Sequence, residues 1–238
     1  MVLEMGVSPD RIVYANTIKC SSHLAYASKH GVTFMTFDCA EELDKIEDKN
    51  ARLLLRIASN EIDSGIMMNN KFGCRLEEAG NLLQIARFMS LDVVGIAFQV
   101  GAAYRRPSIF ARSIAEAKRV FDLGIRIGHP MSALDIGGGF TGGLRTLDRL
   151  LKLCETIRLA VDEHFQATSG VQVIAEPGQF FVTSAYTLAT KVVAQRRKDL
   201  EIDGKLVGHK DIFIKESRCN CINRDLYEFM DIRIRPLD

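Results

Sequence analysis

Three groupings in this sequence bring together residue types that could do chemistry. Gly137-Gly138-Gly139 follows the short run Ala133-Leu-Asp-Ile-Gly137, so its backbone N–H groups could cradle a phosphate. The same glycines serve equally well as a tight turn after a strand, and the residues alone leave both readings open. The triplet is not the G-x-G-x-x-G dinucleotide fingerprint, because no helical pattern opens directly behind it. Glu176-Pro177-Gly178 closes another apolar run; its carboxylate could anchor a ligand nitrogen or sit in a solvated turn. Arg56 lies inside Leu53-Leu-Leu-Arg-Ile-Ala58, and a charge within an apolar strand must be paired or face a polar pocket.

Metal chemistry finds little support. Among the six cysteines the only close pair, Cys219-Asn-Cys221, is too tight for C-x-x-C spacing. The five histidines form neither H-x3-H nor H-E-x-x-H. No metal site is expected, and the thiols are expected to be reduced, as in a cytoplasmic protein.

The elements that must position these residues alternate in type. Apolar runs at Arg11–Asn16, Thr33–Asp38, Leu53–Ala58, Val93–Gln99, Ala133–Gly137 and Val171–Glu176 read as strands, several of them covered on both faces. Between them, Leu76–Met89, Pro107–Ile127 and Thr146–Phe165 carry apolar residues at helical spacing, and Asp38-Cys-Ala-Glu41 reads as a capping box opening a short acidic helix. Alternation of this kind implies either a doubly wound sheet or a (β/α)8 barrel, and in both the chemistry sits at the carboxyl ends of the strands. Asn16, Asp38, Arg56, Gln99, Asp135 and Glu176 all fall there, a repetition that favours the barrel. Tyr14, Phe34 and Phe37 read as core.

After Gly178 the pattern changes. Phe180–Ala194 is rich in β-branched and aromatic residues, Gln195–Lys205 reads as a polar connector, and Asp211-Ile-Phe-Ile-Lys215 reads as a strand. The expected organisation is α/β: residues 1–178 an incomplete (β/α) barrel, and residues 179–238 a connecting segment with the first part of a β-rich C-terminal domain.

Composition bounds the function. The 238 residues are 47% hydrophobic and 26% charged, which argues against disorder. A net charge of +1 supplies no global field for nucleic acid or anionic lipid. No apolar run approaches the roughly 20 residues of a membrane span. Met1-Val-Leu-Glu-Met-Gly6 lacks the basic and apolar regions of a secretory signal. Locally the charge is uneven. Residues 11–37 carry Arg11, Lys19 and Lys29 with no acid, and residues 38–49 then turn acidic. Such a run is a solvated face or a basic patch that docks an acidic partner.

Seven ordered blocks carry a family resemblance: Ser8-Pro-Asp-Arg-Ile-Val-Tyr-Ala-Asn16, His30-Gly-Val-Thr-Phe-Met-Thr-Phe-Asp38, Leu53–Ala58, Lys71-Phe-Gly73, Val93-Val-Gly-Ile-Ala-Phe98, Leu134-Asp-Ile-Gly-Gly-Gly-Phe140 and Ile174-Ala-Glu-Pro-Gly178. In these the chain resembles ornithine decarboxylase and its antizyme-inhibitor relatives. The resemblance implies an alanine-racemase-like (β/α)8 barrel with a C-terminal β domain, and a homodimeric pyridoxal phosphate enzyme of polyamine synthesis. It assigns Arg56, Gly137, Gly138, Gly139, Glu176 and Gly178 to the cofactor site, with Glu176 as partner of the pyridine nitrogen.

The departures from the family pattern set the functional expectation. The family's Schiff-base lysine lies ahead of the first residue of this chain, and two barrel strands and much of the C-terminal domain are outside it. Gln99 stands where the family has the histidine that stacks on the cofactor, and Ala102 where it has a phosphate-binding serine. Gln179 replaces the arginine of Glu-Pro-Gly-Arg, and Glu216 aligns loosely with the aspartate that reads the substrate amine. Losing the arginine forfeits roughly 1.5–3 kcal/mol and losing the serine roughly 1 more. No catalysis by the family mechanism and no bound cofactor are therefore expected. The resemblance also implies that residues 11–35 are the element that binds antizyme, here through Arg11, Lys19 and Lys29, with Thr17-Ile18 replacing Pro-Cys. Partners implied are antizyme and a second subunit, either a like chain or ornithine decarboxylase itself. Two other readings stand beside this one: a pyridoxal phosphate-dependent decarboxylase in truncated form, and a relic with no function of its own.

Overall fold

The computed structural model describes residues 1–59, 71–101, 104, 106–142, 147–165, 170–182, 185 and 187–216. The chain divides into two compact units, Met1–Thr183 and Ser184–Asp238.

Each of the six expected strands forms in the first unit. They are β1 (Val13–Tyr14), β2 (Phe34–Phe37), β3 (Arg52–Ile57), β4 (Asp92–Phe98), β5 (Ala133–Asp135) and β6 (Gln172–Ile174). Helices α1 (Ser21–Lys29), α2 (Ala40–Leu43), α3 (Leu76–Phe88), α4 (Ser108–Ile127) and α5 (Leu147–Phe165) lie between strands, and α6 (Gly178–Val182) follows the last. The strands pair in parallel and in sequential order, β1-β2-β3-β4-β5-β6. A doubly wound sheet reverses its order at a switch point, and this one does not. The unit is a half-barrel of six parallel strands with helices.

Alternation along each strand builds two cores. Leu53, Leu55 and Ile57 of β3, Val93, Ile96 and Phe98 of β4, and Leu134 of β5 join the large cluster shared with the helices. Helix α4 supplies Ile109, Phe110, Ile114, Ala117, Val120 and Phe121 at helical spacing, and α3 supplies Ala79, Leu82, Leu83 and Ala86. Burying side chains of this size contributes about 1.5–3 kcal/mol each for the larger ones. Phe34, Leu54, Val94, Ala97 and Ala133 form the second cluster on the opposite, inner face of the sheet. Phe34 and Phe37 are core as expected, and half-buried Tyr14 packs against it.

A register shift between Leu53 and Leu54, opposite Val93 and Gly95, re-phases β4. It leaves Val94 and Ala97, three residues apart, on the same inner face. Gly95 meets the neighbouring strand so closely that a Cβ there would lie 2.1 Å from the Ala133 carbonyl oxygen. Gly95→Ala is therefore expected to cost about 1–3 kcal/mol by overpacking the sheet centre. A urea unfolding midpoint for that variant checks it; an unchanged midpoint would contradict the register.

His129 ties α3 to β4 from a fully interior position. Its Nδ1 accepts the Val93 N–H at 3.3 Å, which leaves Nε2 to donate to the Leu83 carbonyl at 2.9 Å.

Two local expectations are corrected here. Asp38 does not cap α2, whose N-cap is Cys39 with no side-chain bond. The Asp38 carboxylate instead accepts the Gly73 N–H at 2.7 Å, pinning a distant segment. Phe180–Val182, read as strand-like, lies in the short helix α6.

The second unit is an antiparallel hairpin of β7 (Val192–Ile202) and β8 (Lys205–Ile214). Residues 195–202, read as a polar connector, are strand. Asp203 and Gly204 take positive φ of 53° and 72°, the two-residue turn that Asp-Gly favours. Asp211 meets Arg196, Lys198 and His209 on the exposed hairpin surface. Arg196 first, and then Lys198, holds its carboxyl down at about 2.

Candidate functional site

The inner face that is apolar at its base turns polar toward the carboxyl ends of the strands. Period-two alternation places Thr36 two residues past Phe34, Arg56 past Leu54, Gln99 past Ala97, and Asp135 past Ala133. Four neighbouring strands thus present one polar layer. Glu176 extends it just past β6.

The segment between β3 and α3 folds back on the end of β3. Ala58 N–H donates to the Cys74 carbonyl at 2.8 Å, and Cys74 N–H to the Arg56 carbonyl at 3.0 Å. This lays Phe72 against Arg56, whose guanidinium lies 5.3 Å from the ring centroid. The Lys71-Phe72-Gly73 block therefore packs over Arg56 from the loop side.

The glycine loop is fixed from several directions. Gly137 N–H donates to Asp135 Oδ1 at 2.9 Å, and Gly138 N–H donates to Gln99 Oε1. Glu176 N–H donates to the Gly137 carbonyl at 2.8 Å, which brings the Glu-Pro-Gly segment beside the loop. Gly137 and Gly139 take φ of 66° and 97°, conformations that other residues rarely adopt. Beneath the loop, Phe110 stands between Tyr104 and Phe140, with centroids 5.5 and 6.0 Å away, and the Arg149 guanidinium lies 4.4 Å from the Tyr104 ring centroid.

Charge in the layer is dominated by carboxylates. Asp135 is 1% exposed, and its second oxygen, Oδ2, has no well-formed hydrogen bond. Burial first, and then the neighbouring Glu176 carboxylate, push this carboxyl up to about 8. The Gly137 N–H and the positive charge of Arg56 oppose the rise. A site so arranged can hold a proton between two carboxyl groups and orient a ligand by its backbone. It is poorly suited to a second negative charge.

Of the residues expected at the site, Arg56, Gln99, Gly137, Gly138, Gly139 and Glu176 come together. Gly178 and half-buried Gln179 open α6 on the same side of the sheet, where Gly178 N–H donates to the Glu176 carbonyl at 2.8 Å. Glu216 belongs to the second unit. Ala102 lies outside the described residues. Asp135 is the residue that reasoning from types undervalued: it was one of several polar strand ends, and only its burial beside Glu176 distinguishes it.

The basic residues of 11–37 divide. Arg11 and Lys29 are exposed on the surface. Lys19 is not a surface cation: it is 3% exposed, and its Nζ lies 2.8 Å from Oε1 of Glu42, itself fully buried. The acid missing from Lys19's own stretch of sequence comes from α2.

The likeness to known proteins is of three kinds. Residues 1–183 match the family model described as pyridoxal-dependent decarboxylase, pyridoxal binding domain. Among curated proteins, the chain is 43% identical over 202 residues to ornithine decarboxylase of Schizosaccharomyces pombe, covering 84% of this chain and 45% of that one. It is 40% identical over 198 residues to antizyme inhibitor 2 of Xenopus laevis, covering 82% and 43%. The chain thus spans less than half the length of these relatives. Among solved structures, the arginine decarboxylase of Paramecium bursaria Chlorella virus superposes with a TM-score of 0.79 at 34% identity, covering 93% of this chain and 58% of that one. A lysine/ornithine decarboxylase from Vibrio vulnificus, complexed with putrescine, gives 0.67 at 26%, covering 83% and 52%.

Proposed function

We propose, for a chain that belongs to the pyridoxal-dependent decarboxylase family with ornithine decarboxylase and the antizyme inhibitors, a regulatory role without catalysis: binding antizyme. The observation that carries this reading is the β1-α1-β2 element. It is folded intact, with Arg11 and Lys29 on its surface and no acid anywhere in residues 11–37. Antizyme inhibitor 2 of Xenopus laevis is 40% identical to this chain over 198 residues.

The lack of catalysis is supported by the residues at the cofactor positions. The family binds pyridoxal phosphate, and its reaction uses that cofactor as the electron sink. Gln99 and Gln179 are neutral where the family resemblance places a histidine and an arginine. The charge lost at Gln179 alone removes a contact of roughly 1.5–3 kcal/mol.

Docking through this element uses exposed cations, so it should respond to charge. Purified chain is expected to bind immobilised antizyme saturably, and Arg11→Glu/Lys29→Glu is expected to weaken that binding about tenfold or more, an effect of about 1.4 kcal/mol. Both substituted side chains are exposed, so the fold is preserved, which circular dichroism verifies. No binding by the folded wild-type chain would sink the reading. Release of carbon dioxide from ornithine by that chain would favour a decarboxylase instead.

A further inference from the structure

We propose that Gln99 is a built-in occupant of the glycine loop, its carboxamide oxygen standing where an anionic ligand oxygen would otherwise accept from the backbone. The inference deepens the non-catalytic reading above, but its experiment contains no antizyme, so either can fail alone.

A glycine loop binds phosphate through N–H groups that point, unpaired, at one place. Here two successive amides already have acceptors from the chain itself. Gly137 N–H is taken by Asp135 and Gly138 N–H by Gln99. The acceptors are anchored in turn. Gln99 is held at its backbone, where its carbonyl accepts from Ser59 Oγ at 3.0 Å. Asp135 is the last residue of β5.

The space over the loop is also filled. A Cβ on Gly137 would come 2.0 Å from Gln99 Oε1, and one on Gly138 would come 2.9 Å from the Glu176 carbonyl oxygen. A Cβ on Gly139 would come 2.6 Å from the Gly101 carbonyl oxygen. The glycines here accommodate the approach of the chain's own backbone and the Gln99 side chain.

Electrostatics explain why the occupant is an amide. A carboxylate side chain in that place would add a negative charge beside Asp135 and Glu176, in a layer where burial already raises the Asp135 carboxyl. A carboxamide oxygen satisfies the Gly138 N–H and adds no charge. The residues present therefore do not fit the phosphate of the family's cofactor. Gln99 is the group responsible, because Asp135 and Glu176 lie in the blocks shared with the cofactor-binding family.

The test compares ligand affinity in the full chain and two Gln99 variants. Pyridoxamine 5′-phosphate is the probe, because it lacks the aldehyde that would react with surface lysines, and inorganic phosphate is the second. Gln99→Ala frees the Gly138 N–H, and titration calorimetry is expected to give at least about tenfold tighter binding of both probes than the wild type, the return of one charge-assisted hydrogen bond. Gln99→Asn, one methylene too short to reach the loop, is expected to behave alike and remains informative if the alanine variant does not fold. Exchange of the Gly138 amide is expected to be slow in the wild type and faster in both variants. Equal affinity in wild type and folded variants, or unchanged Gly138 exchange, would overturn the proposal.

Discussion

Replacing Lys19 with alanine is expected to destabilise the first unit by about 3–5 kcal/mol, the range measured when one partner of a buried ion pair is removed. Lys19 and Glu42 have fully buried side chains, and their charged atoms are 2.8 Å apart. The ammonium also donates to the Thr36 carbonyl at 2.6 Å and the Asn16 carbonyl at 3.2 Å. Burial lowers the Lys19 pKa, and Glu42 works against that fall. Lys45 pairs with the same carboxylate and donates to the Lys19 carbonyl at 2.7 Å. Alanine at 19 leaves Glu42 partly compensated by half-buried Lys45, so the lower end of the range applies if Lys45 shifts inward. The pair Lys19→Met/Glu42→Leu removes both charges together and is expected to recover most of the loss, because apolar replacements of buried ion pairs are commonly near neutral. Urea unfolding of the two variants checks this. A single-variant loss below about 1 kcal/mol would place Lys19 in solvent after all. The result also governs how the proposed antizyme binding is probed. A Lys19→Glu variant would set two acids together in the interior and lose binding by unfolding, so only Arg11 and Lys29 are informative positions.

Lys19 is buried for a non-local reason. Its stretch of chain contains no acid, but Glu42 lies 23 residues further on, across the β2–α2 connection. Asp38 departs from its local pattern for the same reason. It matches a capping box within four residues, yet its carboxylate serves Gly73, 35 residues away. What was legible was whatever repeats locally. Apolar runs marked each of the six parallel strands, and three- and four-residue spacing marked α3, α4 and α5 to within a residue or two. The polar strand between residues 195 and 202 escaped because both faces of that hairpin are wet, so no alternation is imposed on it. The Asp203-Gly204 turn was the available signal.

The site was legible in membership and not in contacts. Arg56, Gln99, Glu176 and the three glycines were each identifiable from their place at a strand end. That Gln99 reaches the Gly138 amide depends on the register shift opposite Gly95, which sets the phase in which β4 ends. A one-residue change of phase turns a side chain from the inner face to the outer one. No feature of residues 93–99 alone announces that shift, except the glycine that permits the close strand approach.

Asp135 supplies the second large effect, a dependence of stability on pH that runs opposite to that of most paired carboxylates. Its folded-state pKa is raised to about 8 from an ordinary value of 3.8, through burial first and Glu176 second. Between those two pH values the folded chain holds a proton that the unfolded chain has released. Stability must therefore fall as pH rises through that interval, since the slope follows the excess of protons in the unfolded state, here negative. The contribution is fully present below about pH 4 and is lost as pH approaches 8. A tenfold difference in proton affinity between the folded and unfolded chain is worth about 1.4 kcal/mol, so the swing is on the order of several kcal/mol. Protonation also answers a structural need. As an acid, Asp135 turns its unsatisfied Oδ2 into a donor, and the neighbouring Glu176 carboxylate is the acceptor. Asp135→Asn keeps an acceptor for the Gly137 N–H and has nothing to titrate. Denaturation between pH 5 and pH 8 is expected to show the wild type losing stability and the asparagine variant holding nearly constant, with the variant the more stable at pH 8. Parallel profiles would place the Asp135 proton elsewhere, and would leave Glu176 facing a buried negative charge that no described hydrogen bond at Oδ2 offsets.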